Sequence, residues 1–207
     1  MVTRILLGEK IMANFTNTKA ITFLDTETVS LNPVKGVDTL LSISFITDWD
    51  SGNIVSKTHL IKMTPEKLDS SSQQALEINN YSDEAWKDAV SLESVAGDIA
   101  KSIAWGPLVG HNIQFDINHI VSSLESIGWR RAEQGERFDI EKKIYQIGYP
   151  IIDTCALAYL FVETEKQNLN VLREHMNISL DRAHDAKNDV EDCRQIFYHI
   201  MKNTTRD

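Results

Sequence analysis

The chain has 207 residues, enough for one well-formed core and too few for two comfortable domains. Hydrophobic residues make up 42% and charged residues 25%, which is ordinary for a soluble globular protein. The net charge of −9 disfavours a protein that coats nucleic acid irrespective of sequence, because phosphate binding needs a basic surface. It leaves room for a small site in which bound cations offset the acidic charge.

Three strand-like runs open the chain, at 20–24, 39–46 and 54–61, with a polar, turn-like segment at 47–53. They predict a three-stranded meander. Helical and short strand patterns then alternate, so we predict an α/β protein whose sheet is flanked by helices. The predicted helices start at Thr64 and cover 85–103, 115–127, a segment ending at Val162, 169–176 and 185–201, with strands at 107–110 and 151–153.

The chain is predicted to hold a single domain, residues 20–207, after an N-terminal extension of residues 1–19. Met12 begins a second plausible translation start, so residues 1–11 are hypothesised to be dispensable. Residues 129–149 have the weakest pattern and are interpreted as a surface excursion.

No membrane segment or signal peptide is expected. The longest apolar run, 150–162, is interrupted by Asp153, and charged residues break the apolar patch at the N-terminus. Cys155 and Cys193 lack metal-type spacing, which fits a cytoplasmic protein with free thiols.

Asp25 and Glu27 directly follow the first apolar run. Residues two apart in an extended chain point to the same face, so both carboxylates project together. Two close negative charges repel unless a cation lies between them, and a hard divalent cation with oxygen ligands is the simple answer. The alternative is a solvated strand end that caps the following segment.

Asp116 and Asp189 each lie on the apolar face of a predicted helix. Asp116 is four residues before Ile120, and Asp189 is four residues before Cys193. A carboxylate on such a face is costly unless it is paired or binds metal. For Asp116 the alternative is an acidic residue favoured by the helix dipole.

The start of the last predicted helix carries further charged residues. His184 lies five residues before Asp189, and taken alone it could be an ordinary loop residue. Asp185, Glu191 and Asp192 are interpreted as N-cap and solvent-side charges. Three distant segments thus each place an acid on an otherwise buried face, and one of them also brings a histidine.

These residues form three motifs: LDTET at 24–28, GHNIQFD at 110–116 and AHDAKND at 183–189. In this order the motifs resemble those of the DEDDh family of 3′-5′ exonucleases, the group similar to the proofreading subunit of bacterial replicative polymerases. The segment IIDT at 151–154 resembles the family's segment between the second and third motifs. The resemblance spans most of the chain and implies a ribonuclease H-like fold, with a mixed five-stranded sheet flanked by helices.

The resemblance also implies roles. Asp25, Glu27, Asp116 and Asp189 would be catalytic carboxylates that hold two Mg²⁺ ions, with Mn²⁺ able to substitute. His184 would be the general base that takes a proton from the attacking water. The product would be a nucleoside 5′-monophosphate, released from a nucleic acid 3′ end, with single-stranded DNA favoured and RNA possible. A polymerase or other replication protein is a possible partner.

Substrate contacts are implied for Thr26, Thr28, Leu31 and Asn112. The family's usual sequence after the first Glu is Thr-Thr-Gly-Leu, whereas this chain has Thr-Val-Ser-Leu at 28–31. Because glycine permits the backbone to approach a ligand closely, this departure puts in doubt how the chain binds the 3′ end. Two alternatives stay open. One is an exoribonuclease or oligoribonuclease; the other is a catalytically silent module that binds nucleic acid or a polymerase.

Overall fold

The computed structural model describes residues 19–33, 35–69, 71–180 and 185–204. The strands in chain order are β1 (Ala20–Thr28), β2 (Leu40–Trp49), β3 (Ile54–Leu60), β4 (Leu108–Gly110), β5 (Arg130–Arg131), β6 (Ile144–Tyr145) and β7 (Ile151–Asp153). The helices are α1 (Pro65–Asp69), α2 (Gln73–Ile78), α3 (Leu92–Ser102), α4 (Ile113–Ser126), α5 (Thr154–Phe161), α6 (Leu169–His175) and α7 (Ala186–Thr204).

The central sheet has five strands in the order β3-β2-β1-β4-β7. Strands β1, β2 and β3 form the predicted antiparallel meander, and β4 and β7 continue from β1 in parallel. The mixed five-stranded sheet expected from the family resemblance is therefore confirmed.

Alternate residues of β1 belong to two different cores, because successive side chains of a strand point to opposite faces. Ile21 and Phe23 are fully buried against Val190 and Phe197 of α7. Leu24 faces the other way, into the larger core formed with α3 and α4. Helices thus cover both faces of β1, and the strand between them is almost completely shielded from water.

Several predicted boundaries are wrong. Strand β1 continues to Thr28 and β2 to Trp49, so the segment predicted as a turn from residue 47 is partly strand. Asp48 can lie within β2 because Arg194 of α7 pairs with its carboxylate at 2.8 Å. The helix predicted over 85–103 begins only at Leu92, since the Ser91 side chain caps it by accepting from the Ser94 backbone N.

Residues 129–149 are not only a surface excursion. The segment contains the parallel pair β5 and β6, and Trp129, Ile144 and Tyr145 are buried, at most 6% exposed. Trp129 and Tyr145 pack in the core beside α3 and α4. The irregular pattern of the sequence arises because only a few side chains of this segment reach that core.

The N-terminal extension and the single-domain boundary stay predictions, since residues 1–18 lie outside the described part of the chain. Among the described helices, none has the length and apolar character needed to cross a bilayer.

Candidate active site

Asp25 and Glu27, the first two predicted site residues, lie within strand β1, whereas the sequence placed them just after a strand that ends at residue 24. Asp25 and Glu27 lie opposite Ser44 and Ser42 of β2. They continue the alternation of Ile21 and Phe23, so they project toward the face of the sheet that α7 covers. Both carboxylates are half-buried. The prediction that they share one face is confirmed.

Helix α7 brings the third carboxylate to the same place. Asp189 is 8% exposed and lies one residue before Val190, which packs on β1. Asp185 precedes the helix and accepts from the Lys187 backbone N at 3.0 Å, in agreement with its predicted capping role. Carboxylate oxygens of Asp25, Glu27 and Asp189 all lie within 4.8 Å of one another. We call these three residues the carboxylate triad.

The triad is strongly self-repelling. The pKa of Asp25 is raised well above its usual range, first by burial and then by the nearby charges of Asp116, Asp189 and Glu27. Burial, followed by the charges of Asp189 and Asp116, raises the pKa of Glu27 to about 8. Two carboxyl groups that resist ionisation, beside a third carboxylate within 4.8 Å, form the oxygen donor set that a hard divalent cation stabilises. The triad therefore fits a hard divalent cation.

Asp116 of α4 approaches from the other side of β1. It is 3% exposed, and its Oδ1 accepts from both the backbone N of Thr26, at 2.9 Å, and the Thr26 hydroxyl, at 2.7 Å. Burial raises the pKa of Asp116 to about 7, although the Thr26 hydrogen bonds act in the opposite direction. Asp116 lies outside the triad, yet it is close enough for its charge to raise the pKa of Asp25 and Glu27.

The turn before α4 is fixed by β7. Asp153 accepts from the backbone N of Asn112 at 2.9 Å, and Asn112 adopts a left-handed conformation with φ of 60°. Gly110 leaves no room for a side chain, because a Cβ there would lie 2.9 Å from the Cβ of Ile113 and 3.1 Å from the Leu24 carbonyl oxygen. The second motif is thus held against β1. Nδ1 of His111 contacts the Thr154 hydroxyl at 3.0 Å.

The residues implied as substrate contacts divide into two kinds. Leu31 is 81% exposed, and Asn112 is exposed. Thr26 and Thr28 are buried, and the Thr28 hydroxyl donates to the Ser30 carbonyl at 2.8 Å. In this structure the two threonine hydroxyls organise the protein itself. The substrate role of all four residues stays a prediction.

One expectation about α7 is wrong. Asp192, interpreted as a solvent-side charge, is 0% exposed. Its Oδ2 accepts from Nε of Arg173 on α6 at 2.9 Å, and Nη2 of the same guanidinium donates to Oδ1 of Asp189 at 2.5 Å. The sequence contained a signal for both residues: Asp192 is three residues after Asp189, and Arg173 is four residues after Leu169, so each lies on an apolar helical face.

His184, the predicted general base, lies outside the described residues, as do residues 181–183 before it. Cys193 is 1% exposed, as expected for a core residue, and burial raises the pKa of its thiol.

Similarity to known proteins extends over most of the chain. The family model described as "Exonuclease" matches residues 22–197. DNA polymerase III PolC-type from Thermotoga petrophila is 25% identical over 182 residues, which cover 86% of this chain and 12% of that protein. The PolC-type enzyme of Bacillus cereus is 25% identical over 180 residues, covering 86% of this chain and 11% of that one. The chain therefore spans only about an eighth or less of the length of these relatives.

Two solved structures share the fold. Exonuclease X in complex with 5′ overhanging duplex DNA has a TM-score of 0.58 and 19% identity, and the match covers 90% of this chain and 94% of that chain. Escherichia coli exonuclease I in complex with a dA16 oligonucleotide has a TM-score of 0.66 and 14% identity, covering 90% of this chain and 41% of that chain.

Proposed function

Because the chain belongs to the exonuclease family, we propose that it is a metal-dependent 3′-5′ exonuclease that removes nucleotides one at a time from DNA. The observation that carries this proposal is the carboxylate triad of Asp25, Glu27 and Asp189. Three acidic groups on adjoining strand and helix faces, within 4.8 Å of one another, repel each other in the metal-free fold. They are explained by a site that binds cations.

We assign the triad, supported by Asp116, to two divalent cations, Mg²⁺ or in its place Mn²⁺. When bound, such ions lower the pKa of a water molecule and neutralise charge on the phosphodiester. Asp116 lies close enough to Asp25 for its charge to raise the pKa of Asp25, and the two hydrogen bonds from Thr26 hold the Asp116 carboxylate in one orientation. The site is therefore organised by the protein before any substrate arrives.

His184 is proposed as the general base on the sequence pattern alone. It lies five residues before Asp189 in the motif AHDAKND. An imidazole, with an ordinary pKa of about 6.5, accepts a proton from water near neutral pH. In-line attack by that water on the terminal phosphodiester breaks the bond to the 3′ oxygen. The released product is a nucleoside 5′-monophosphate.

DNA is the proposed substrate, bound by its single-stranded 3′ end. The proposal is supported by likeness: the PolC-type relatives are named as DNA polymerases, and the two solved structures hold DNA. The proposed substrate contacts are Thr26, Thr28, Leu31 and Asn112, of which Leu31 and Asn112 are exposed. Association with a polymerase or another replication protein, and a cytoplasmic location, belong to the same proposal. Free Cys155 and Cys193 fit that compartment.

The test is digestion of matched single-stranded DNA and RNA oligomers labelled at the 5′ end, with Mg²⁺, with Mn²⁺ and with chelator. We expect a ladder that shortens from the 3′ end, requires metal and forms faster on DNA. Asp25→Asn serves as the matched inactive control. A faster ladder on RNA would replace DNA by RNA as the substrate, since the 2′-OH distinguishes the two. A folded protein that binds metal and cleaves neither would be a silent binding module.

A further inference from the structure

Arg173 on α6 is a buried cation at the edge of the carboxylate triad. It is 1% exposed, and each of the three nitrogen atoms of its guanidinium group donates a hydrogen bond. Nη2 donates to Asp189 at 2.5 Å, Nε to Asp192 at 2.9 Å, and Nη1 to the side-chain oxygen of Asn170 at 2.8 Å. The fork thus joins a triad carboxylate on α7 to an amide on its own helix.

Stability alone does not explain this arrangement. Removing two opposite charges from water costs several kcal/mol per ion, and a well-packed apolar pair is often as stable as a buried ion pair. Arg173 and Asp192 are at most 1% exposed, so both pay the desolvation cost in full. An apolar pair at positions 173 and 192 could not donate a hydrogen bond to Asp189.

We propose that Arg173 is a positioning residue for metal binding. It fixes one oxygen of Asp189 by a hydrogen bond, so that the carboxylate keeps a single orientation toward Asp25 and Glu27. Asp192 and Asn170 in turn hold Arg173 in place by accepting hydrogen bonds from its other two nitrogen atoms. The inference rests on the proposed function, because it assumes that the triad binds divalent cations.

A positioning role and a simple charge effect predict opposite results. A cation near the triad repels a divalent metal, so by charge alone the loss of Arg173 would tighten metal binding. Loss of a fixed orientation would weaken it, and groups that orient metal-ligating carboxylates contribute about 10- to 100-fold in metal affinity. A substitution that keeps the charge and removes the planar fork therefore isolates the positioning role.

The experiment compares Arg173→Lys with Arg194→Lys by titrating Mn²⁺ into the purified full chain and following binding by calorimetry and electron paramagnetic resonance. Both variants keep the charge and lose the planar fork. Arg194 is a matched control, since it is also an arginine paired with a buried aspartate, Asp48 at 2.8 Å, away from the triad. We expect Arg173→Lys to weaken Mn²⁺ binding at least about tenfold and Arg194→Lys to change it less than about twofold. Equal affinities in wild type and Arg173→Lys, or tighter binding, would overturn the proposal.

A second variant, with two substitutions, tests the same role in case Arg173→Lys does not fold. Arg173→Met with Asp192→Leu replaces both buried charges by apolar side chains of similar size, which is often tolerated. It still removes the donor to Asp189, so we expect it to fold and to bind Mn²⁺ at least about tenfold more weakly.

The failure of this inference is distinct from the failure of the proposed function. If wild type binds no Mn²⁺ and digests no DNA, the proposed function is wrong. If wild type does both and Arg173→Lys binds Mn²⁺ as tightly as wild type, only the positioning role is wrong.

Discussion

Thr26 donates two hydrogen bonds to the same oxygen of Asp116, one from its backbone N at 2.9 Å and one from its hydroxyl at 2.7 Å. The pair connects β1 to α4 across 90 positions of the sequence. Because Thr26 lies between Asp25 and Glu27, the contact that orients the fourth carboxylate comes from the same strand that carries two members of the triad.

Thr26→Val removes the hydroxyl donor and keeps the shape and the backbone donor. A buried carboxylate that loses one of two hydrogen bonds is less well oriented and harder to ionise. We expect exonuclease turnover to fall about tenfold, with a higher metal concentration needed for half-maximal rate. Steady-state digestion across a Mg²⁺ titration measures both quantities.

The control for this change is Thr22→Val, at the opposite end of the same strand. The Thr22 hydroxyl contacts the hydroxyl of Thr47 at 3.1 Å, with no link to the triad. Thr22→Val should leave turnover within about twofold of wild type while costing a similar hydrogen bond, about 1 kcal/mol. Equal losses in both variants would mean that the Thr26 effect is one of general stability.

The sequence predicted the parts of the site that follow a simple periodicity. Alternation in β1 placed Asp25 and Glu27 on one face, and the helical repeat placed Asp116 and Asp189 on buried faces. Both inferences need only the spacing within one element. The mixed five-stranded sheet was implied by the family resemblance, and the order of β1, β4 and β7 within it was not predicted.

What the sequence did not predict depends on partners from other elements. Asp192 was interpreted as a solvent-side charge although it lies three residues after Asp189, because helical spacing alone does not identify its partner Arg173, 19 residues away. Strand β2 was predicted too short for the same reason, since Arg194 is 146 residues from Asp48. Spacing within one helix or strand does not identify the residue of opposite charge that allows a charged side chain to be buried.

The metal-free protein should lose stability as the pH rises. The pKa of Glu27 is about 8 in the fold against 4.5 when unfolded, and that of Asp116 is about 7 against 3.8. The folded state then binds more protons than the unfolded state between roughly pH 4 and 8, so the unfolding free energy falls across this window. Urea denaturation in chelator at pH 5.5, 7 and 8.5 measures the decline.

Saturating Mg²⁺ should abolish that decline, since bound cations stabilise the ionised carboxylates and raise stability most at high pH. A metal-free stability that rises from pH 5.5 to 8.5 would contradict the direction assigned to both groups. Asp25→Asn in chelator is the internal check, because removing one charge from the cluster should flatten the slope.

Asp25→Asn should separate stability from function. At pH 8.5 without metal, the variant removes a charge that repels Glu27, Asp116 and Asp189, so its unfolding free energy should exceed that of wild type by roughly 1 kcal/mol or more. Mn²⁺ binding and DNA digestion should be nearly abolished. Exposed Asp50→Asn is the matched control, and we expect it to change stability by less than about 0.5 kcal/mol and activity not at all. A destabilised Asp25→Asn would show that the triad is not repulsive in the metal-free fold.

His184→Ala tests the residue assigned from the sequence alone. Loss of a general base lowers turnover by about 10²- to 10⁴-fold, and since the imidazole is not assigned as a ligand, Mn²⁺ affinity should stay within about twofold of wild type. The acidic limb of the pH–rate profile, expected near an imidazole pKa of about 6.5, should disappear. His175→Ala, a histidine at the end of α6, is the control and should retain the wild-type profile. A wild-type profile in His184→Ala would transfer the role of base to another group, whereas a large loss of Mn²⁺ affinity would make His184 a ligand.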